Sequence, residues 1–335
     1  MKGYDTMKRI PALFLAAALT ASLISIPAAA EERSLVVLGD SITSGYGLEG
    51  YTAGDNSSAG DSFANQLAAS YTDYSNFAVD GRTSGELLTA LENEEISAAL
   101  SGADTVVISI GGNDFLQPML SALMDAAAEN GDLIDYFTGL SEAGSTEEAG
   151  ADGMLSGFGD LSDEATSAIM QIMQTVIKAA NSVDVAGVIG NISEILASVK
   201  DCAPEAQVII LTVYDPFEGI TGMEMLDVVA REKLEELNTG IIDAADQNGA
   251  AVADAASAFK GNAAELTNVM QGDIHPSKAG HAEIYSLLLD ITEPAAAANT
   301  QAPVKGSPDT GAGGIAFAAG IAALSAVGIV FTRKR

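Results

Sequence analysis

The sequence predicts an α/β fold in which a parallel sheet carries helices on both of its faces. Five short apolar runs, mostly of β-branched residues or leucine, are typical of strands that are buried on both sides. Stretches with apolar residues at three-to-four spacing lie between these runs and indicate amphipathic helices. Because strands alternate with helices along the chain, the strands are expected to pair in parallel, with ligands bound beyond their carboxyl ends.

The predicted elements follow one another in a simple order. The strands are predicted at 35–38, 74–79, 105–110, 208–213 and 250–253. Helices are predicted at 61–70, 84–100 and 223–247, with a last helix after His275. Polar residues follow three of the strands, which places them at the edge where a ligand would bind.

The interval 115–200 is unusually long for the connection between two strands. Residues 138–160 are rich in Gly, Ser and acidic residues and are predicted to form a loop, and residues 162–181 are predicted to form a helix capped by Ser162. The apolar stripe of this helix leaves two interpretations open. The insertion is either a lid or acyl-binding wall over the strand ends, or a helical elaboration that packs on the body, which is the favoured interpretation.

Composition excludes several classes of protein. The chain has 335 residues and a net charge of −31, which argues against a protein that coats nucleic acid. A single Cys excludes a disulfide scaffold, a cysteine zinc site and a dithiol redox motif, and Cys202 is interpreted as a packing residue at a helix end. The 48% of apolar residues against 18% of charged residues disfavours disorder.

The first 30 residues have the pattern of a secretory signal peptide. Lys8 and Arg9 precede an apolar run, and Ala28-Ala29-Ala30 forms a small-residue cleavage site, so the mature chain is expected to start at Glu31. An uncleaved anchor helix is the alternative. Residues 31–293 remain as one domain, which contains the insertion at about 115–200.

The C-terminus combines a linker, a short motif, an apolar run and a basic tail. Residues 294–311 form an Ala/Pro-rich linker that ends in Ser307-Pro308-Asp309-Thr310-Gly311, and residues 312–335 contain an uncharged apolar run and a basic end. The pentapeptide resembles the LPxTG sorting signal of Gram-positive surface proteins, with Ser in place of Leu. The resemblance implies that a sortase cuts between Thr310 and Gly311 and links the chain to peptidoglycan at the extracellular cell surface. The chain would then contact the membrane only through its C-terminal segment before processing; an ordinary tail anchor is the alternative.

A serine, a histidine and an aspartate form a candidate acyl-transfer site. Ser41 follows the first strand in Gly39-Asp40-Ser41, and the chain contains no G-x-S-x-G elbow. A serine nucleophile needs a positioned base, and the chain has only two histidines. His275 lies in a loop with Asp273 two residues earlier, so the carboxylate can hold one ring nitrogen while the other faces Ser41. His281 is interpreted as structural, and the spacing of the histidines argues against a metal site.

The developing oxyanion of acyl transfer needs hydrogen-bond donors. Asn113, beyond the third strand, offers a carboxamide, and Gly81, beyond the second, offers a backbone N–H that can be approached closely. Neither turn is informative in isolation.

Taken together, these residues resemble the SGNH hydrolase family of GDSL esterases and lipases. The four matching blocks are Gly39-Asp40-Ser41-Ile42-Thr43, Asn76–Gly81, Gly111-Gly112-Asn113-Asp114 and Asp273-Ile274-His275-Pro276. The resemblance implies a three-layer α/β/α sandwich with a small parallel, flavodoxin-like sheet, and no cofactor. It also implies that Ser41, Gly81 and Asn113 form the oxyanion hole. The family places three positions between Asp and His, so the role of Asp273 is less firmly implied than that of His275.

The resulting hypothesis is a secreted, wall-anchored serine esterase. Its substrate would be an oxygen ester of a lipid or of an acylated glycan, cleaved through an acyl-enzyme on Ser41. The alternatives are a non-catalytic surface adhesin on the same fold and a relative that has lost activity.

Overall fold

A five-stranded parallel sheet forms the centre of the computed structural model, which describes residues 33–129, 163–220 and 224–292. The strand order is β2-β1-β3-β4-β5, and every neighbouring pair is parallel. The strands are β1 (Ser34–Gly39), β2 (Asp73–Asn76), β3 (Thr105–Ser109), β4 (Gln207–Leu211) and β5 (Ala251–Ala253).

Helices connect these strands and cover the sheet. Those of the first half are α1 (Ser41–Ser44), α2 (Phe63–Ala68), α3 (Ser84–Ala90), α4 (Glu94–Ser101) and α5 (Gly112–Glu129). Those of the second half are α6 (Asp163–Asn181), α7 (Val185–Cys202), α8 (Glu224–Asn248), α9 (Ala255–Phe259), α10 (Ala263–Leu266) and α11 (Lys278–Thr292), with a 3₁₀ turn at Val269–Gln271.

Two apolar clusters lie on opposite faces of the sheet. Side chains of a strand point alternately to its two faces, so Val36 and Leu38 of β1 belong to one cluster while Leu35 and Val37 belong to the other. Both faces of β1 and β3 are buried, which explains why these strands are continuous apolar runs rather than alternating ones. The predicted three-layer α/β/α fold is confirmed.

The chain order creates a crevice at one edge of the sheet. After β1 the chain first forms β2 on one side and then crosses over to form β3 on the other side of β1. The connections diverge at this point, and the crevice beyond the carboxyl ends of β1 and β3 is where ligands of such sheets bind.

Two element predictions differ from the structure. The predicted helix at 84–100 is two helices, because the chain leaves α3 after Ala90 and Asn93 caps a new helix by accepting a hydrogen bond from Glu95 N–H. The strand predicted at 74–79 ends at Asn76, after which the chain runs toward the Asp80-Gly81 turn.

The long interval between β3 and β4 contains three described helices. The predicted helix at 162–181 is observed as α6, which packs on α5. Helix α7 packs on α8 and buries six apolar side chains in the core, so this part of the insertion packs on the body, and Cys202 is its partly buried last residue. The predicted cap Ser162 and the predicted loop at 138–160 lie outside the described residues.

The predicted signal peptide and C-terminal segments (1–30, 294–311 and 312–335) also lie outside the described residues. Within the described part of the chain, no single helix has the length and apolar character needed to cross a membrane. One pair, Gln174–Asn181 and Val185–Cys202, meets the length and composition criteria jointly, with a bend of 46° between the two helices.

Candidate active site

Ser41 is the first residue of a short helix that begins where β1 ends. Asp40 caps this helix by accepting a hydrogen bond from Ile42 N–H at 3.0 Å. Gly39 has no space for a side chain, since a Cβ there would lie 2.3 Å from Thr43 Oγ1 and 2.6 Å from Ser109 O. Because Ser41 opens the helix, its N–H has no intrahelical acceptor and remains available to a ligand.

His275 lies in the loop before α11 and reaches Ser41 across the strand edge. Its Nε2 is 2.9 Å from Ser41 Oγ, and its Nδ1 contacts Asp273 Oδ1. Backbone hydrogen bonds from Asn268 N–H to His275 O (2.9 Å) and from Asp273 N–H to Asn268 O (3.1 Å) fix this loop. The structure therefore brings the predicted Ser41, His275 and Asp273 together in the order that acyl transfer requires.

The two-residue spacing between Asp273 and His275 is compatible with this arrangement. The same Asp273 oxygen that contacts the imidazole also accepts a hydrogen bond from His275 N–H at 3.1 Å, which closes an Asx turn. Burial raises the pKa of Asp273, but the hydrogen bond from the His275 side chain and the charge of His275 outweigh it, so the pKa lies below its usual value. The carboxylate is thus held ionised against the imidazole.

The two other predicted oxyanion donors flank the same crevice. Gly81 adopts φ 73°, a conformation that favours glycine, and its N–H makes no hydrogen bond to another described residue. The Asn113 side chain donates to Asp40 Oδ2 at 3.2 Å and to Arg82 O at 3.1 Å. Both hydrogens of the Asn113 amide are therefore engaged, so an oxyanion has to replace one of these acceptors.

Asp40 is a buried carboxyl between the nucleophile and Asn113. Burial raises its pKa to about 7, against the lowering effects of the Ile42 N–H hydrogen bond and the charge of His275. It is 2% exposed, and its two oxygens bind Ile42 N–H and the Asn113 amide. Asp40 orients Asn113, a role that the sequence analysis missed; its place directly before Ser41 was the available signal.

Comparison of the sequence with models of known protein families identifies the family of this chain. The model of the GDSL-like lipase/acylhydrolase family matches residues 37–283, which is most of the chain. The chain belongs to the GDSL-like lipase/acylhydrolase family. Membership places it among the serine ester hydrolases, as the sequence analysis predicted.

Similar proteins extend this comparison. "Uncharacterized protein YpmR" of Bacillus subtilis (strain 168) is 28% identical over 102 residues, which span 30% of this chain and 38% of that relative. The phospholipase A1 of Streptomyces albidoflavus NA297 has 21% identity and a TM-score of 0.49, with 77% of this chain and 98% of that one covered. The extracellular lipase of Streptomyces rimosus has 20% identity and a TM-score of 0.47, with 76% and 98% covered.

His281 lies away from the reacting groups of this GDSL-family chain. It is fully buried on α11, its Nδ1 accepts a hydrogen bond from Phe63 N–H at 3.2 Å, and its ring stacks on Phe63 at 5.9 Å. Burial, followed by the charge of His275, lowers its pKa to about 3, so it stays neutral. Within residues 33–129, 163–220 and 224–292, no group of three or more His, Cys, Asp or Glu side chains is arranged to hold a metal ion.

Proposed function

We propose that the protein is a serine esterase that hydrolyses oxygen esters through an acyl-enzyme on Ser41. The single observation that carries the proposal is the continuous contact from Ser41 Oγ to His275 Nε2, at 2.9 Å, and from His275 Nδ1 to Asp273. This is the geometry in which a base removes the serine proton while a carboxylate fixes the imidazole tautomer.

The proposed reaction has two halves. Ser41 Oγ attacks the ester carbonyl carbon while its proton moves to His275 Nε2, and the resulting oxyanion accepts hydrogen bonds from Ser41 N–H, Gly81 N–H and the Asn113 amide. The tetrahedral intermediate then expels the alcohol, which takes the proton from His275. In the second half a water attacks the acyl-enzyme, with His275 again as the base, and releases the acid and free Ser41.

Ser41→Ala tests the nucleophile. Hydrolysis of a p-nitrophenyl ester should fall by at least about 10³-fold, because no other group can form the acyl-enzyme. Ser70→Ala is the matched control, since it removes the hydroxyl of an exposed serine at the end of the α2 region and should leave the rate unchanged. A Ser41→Ala variant with the original rate would show that another nucleophile acts.

A fluorophosphonate probe separates the esterase from a non-catalytic surface adhesin. An esterase should form one covalent adduct at Ser41, since the probe reacts with serines activated by a base. An adhesin on the same fold would leave Ser41 unlabelled at probe concentrations that saturate a control esterase.

The substrate class is proposed as a lipid acyl ester or an acylated glycan. The chain belongs to the GDSL-like lipase/acylhydrolase family, which supports a lipid ester. A series of p-nitrophenyl esters from acetyl to palmitoyl, together with an acetylated glycan, discriminates the two. A strong preference for long chains would exclude a glycan deacetylase.

The proposed location is the extracellular cell wall of a Gram-positive bacterium. Three features of the sequence support it: the signal-peptide pattern in residues 1–30, the Ser307–Gly311 pentapeptide, and the apolar run with a basic tail in residues 312–335. In a Gram-positive host, the chain should appear in the peptidoglycan fraction, joined through the Thr310 carboxyl. A variant that lacks 307–311 should move to the membrane fraction or the medium; an unchanged wall fraction would contradict sorting at this motif.

A further inference from the structure

Tyr46 stands directly after the helix that carries Ser41. Helix α1 ends at Ser44, Gly45 turns the chain at φ 82°, and Tyr46 N–H donates to Ser41 O at 3.0 Å. The same short segment therefore fixes the main chain of both Ser41 and Tyr46. Any displacement of the Tyr46 ring relative to the nucleophile is limited by this hydrogen bond.

The Tyr46 ring packs against the imidazole of His275. The two ring centroids are 4.5 Å apart and the planes are inclined by 44°. Ser41 and Asp273 contact the two ring nitrogens of His275, so Tyr46 adds a contact to the ring itself rather than to its polar atoms.

A second tyrosine fixes Tyr46 on its other side. Tyr51 meets Tyr46 at 5.2 Å with an edge-to-face inclination of 60°, and the Tyr51 hydroxyl donates to an oxygen of Asp80. The other Asp80 oxygen accepts a hydrogen bond from Ser44 Oγ at 2.6 Å. Asp80 directly precedes Gly81, so this set of contacts ties the base, the nucleophile helix and the oxyanion turn to one another.

We infer that Tyr46 is a positioning residue for His275, whose ring holds the imidazole in place and stabilises its protonated form. The inference rests on the proposed esterase function, in which His275 becomes an imidazolium when it accepts the Ser41 proton. An aromatic face within about 6 Å of a cation attracts it, and the attraction is larger where water is excluded. His275 is 6% exposed, so its ring meets that condition.

Other groups also surround the His275 imidazole. The titratable groups around it are Asp273 on its own loop, Asp40 before α1, Tyr46 after α1, and His281 on α11. Tyr46 contacts the ring itself, and its contribution can be removed while the hydrogen bonds to both ring nitrogens are kept.

Tyr46→Leu in the full chain tests this inference. Leucine retains apolar cover over the imidazole but has no π face, so kcat should fall by about 2- to 30-fold with little change in KM. The acidic limb of the kcat/KM profile should move to lower pH. Once the imidazolium of His275 is less stabilised, the imidazole stays neutral, and able to act as a base, at lower pH values. Tyr46→Phe keeps the ring and should retain the rate and the profile of the original chain.

Two further variants keep the experiment decisive. Tyr285→Leu replaces another partly buried tyrosine, which lies on α11 and packs against the apolar cluster that contains Leu35 and Val37, and should leave the pH profile unchanged. Tyr46→Met serves if the leucine variant fails to fold, because methionine adapts to irregular space, and it should give the same shift in the acidic limb.

The possible results separate this inference from the proposed function. A lower kcat with a displaced acidic limb for Leu or Met, and neither change for Phe, supports the positioning role. An unmoved limb for Leu and Met, or an equal loss for Phe, overturns it. A Ser41→Ala variant that keeps its rate would instead overturn the esterase function itself.

Discussion

The contact between Asp273 and His275 shows how a short spacing can still place an acid against a base. An Asx turn joins the carboxylate of one residue to the N–H two positions later, so local geometry brings the aspartate oxygen to the imidazole. The departure from the three-position spacing of the family therefore leaves the contact with Nδ1 intact. We therefore propose that Asp273 is the acid that orients His275.

We expect Asp273→Asn to lower kcat by about 10²- to 10⁴-fold. The asparagine amide offers a donor to Nδ1 where a carboxylate accepts, so the imidazole is stabilised in the tautomer that cannot remove the Ser41 proton. Steady-state kinetics on a p-nitrophenyl ester, with the melting temperature recorded in parallel, would check this.

Asp254→Asn is a suitable control for that substitution. Asp254 also accepts hydrogen bonds at a strand edge, from Thr212 Oγ1 and Ser257 N–H, but does not contact His275. Its loss should change stability rather than kcat. If Asp273→Asn retained more than about a tenth of the rate, the backbone of the loop alone would be sufficient to orient His275.

The sequence predicted the groups of the site that carry recognisable chemistry, and Asp273 as the acid that orients His275, but not the contributions of Asp40 and Tyr46. Ser41, Gly81, Asn113 and His275 could be found because each lies beside a strand end or in a short motif. The roles of Asp40 and Tyr46 depend on contacts with residues 73 and 229 positions away, and no local pattern reports such contacts. These two contacts join residues that are far apart in the sequence, so they emerged only from the structure.

At the scale of elements, the sequence predicted strands better than helix boundaries. The strands β1, β3 and β4 are nearly continuous buried apolar runs, so the sequence showed them clearly, whereas the partly exposed β2 was predicted from a weaker run. The break between α3 and α4 depends on a cap at Asn93 inside an otherwise periodic stretch. The bounds of helix α7 were not predicted, although its buried apolar residues recur at the three-to-four spacing of a helix, at Val185, Val188, Ile192, Ile195, Leu196 and Val199. Gly187 and Gly190 within this stretch lower its helix propensity, and in the structure the helix packs on α8.

Two glycines on the packed pair α7 and α8 should respond in opposite ways to alanine. Gly190 of α7 is exposed, and a Cβ there would meet nothing within 4 Å, so Gly190→Ala should stabilise the fold by about 0.5–1 kcal/mol. Gly240 of α8 is buried, and its Cβ would lie 2.2 Å from Ile189 Cδ1. Gly240→Ala should therefore destabilise it by about 1–3 kcal/mol.

Urea unfolding of the two single variants, monitored by circular dichroism, measures both effects. Gly240→Ala combined with Ile189→Ala provides a further check, because the smaller side chain at 189 removes the clash. The double variant should be less destabilised than the sum of its two single changes. Equal stabilisation by both alanines would mean that α7 and α8 separate to accept the methyl group.

For the whole molecule, charge and burial act together on stability. The chain carries a net charge of −31, so ionising further carboxyls increases its self-repulsion. Burial raises the pKa of both Asp40 and Asp215 to about 7 from 3.8, which means that the folded state holds protons that the unfolded chain has already released. The loss of stability that these two carboxyls cause is absent below about pH 4 and complete above about pH 7. Stability therefore falls as the pH rises across that window.

His281 opposes this trend but does not reverse it. Its pKa is lowered from 6.5 to about 3, so it stays neutral in the fold while the unfolded chain binds a proton below pH 6.5, and stability is lost as the pH falls from there. Between pH 4 and 6.5, this one histidine makes the fold more stable as the pH rises, while the two carboxyls make it less stable. The melting temperature should consequently be higher at pH 5 than at pH 8, and added salt should raise it more at pH 8.

Asp215→Asn isolates one contribution to this pH dependence. Asp215 Oδ1 accepts a hydrogen bond from Phe217 N–H at 2.8 Å, which the asparagine oxygen can retain, while the buried Oδ2 has no hydrogen-bond partner among the described residues. Replacing the carboxylate should raise the melting temperature at pH 8 by about 2–6 °C and change it by less than about 1 °C at pH 4.5, where Asp215 already holds its proton. Asp243→Asn alters the net charge equally from an exposed position on α8, so it reports the effect of charge alone. The same rise for both variants would show that self-repulsion, rather than the burial of Asp215, sets the pH dependence of stability.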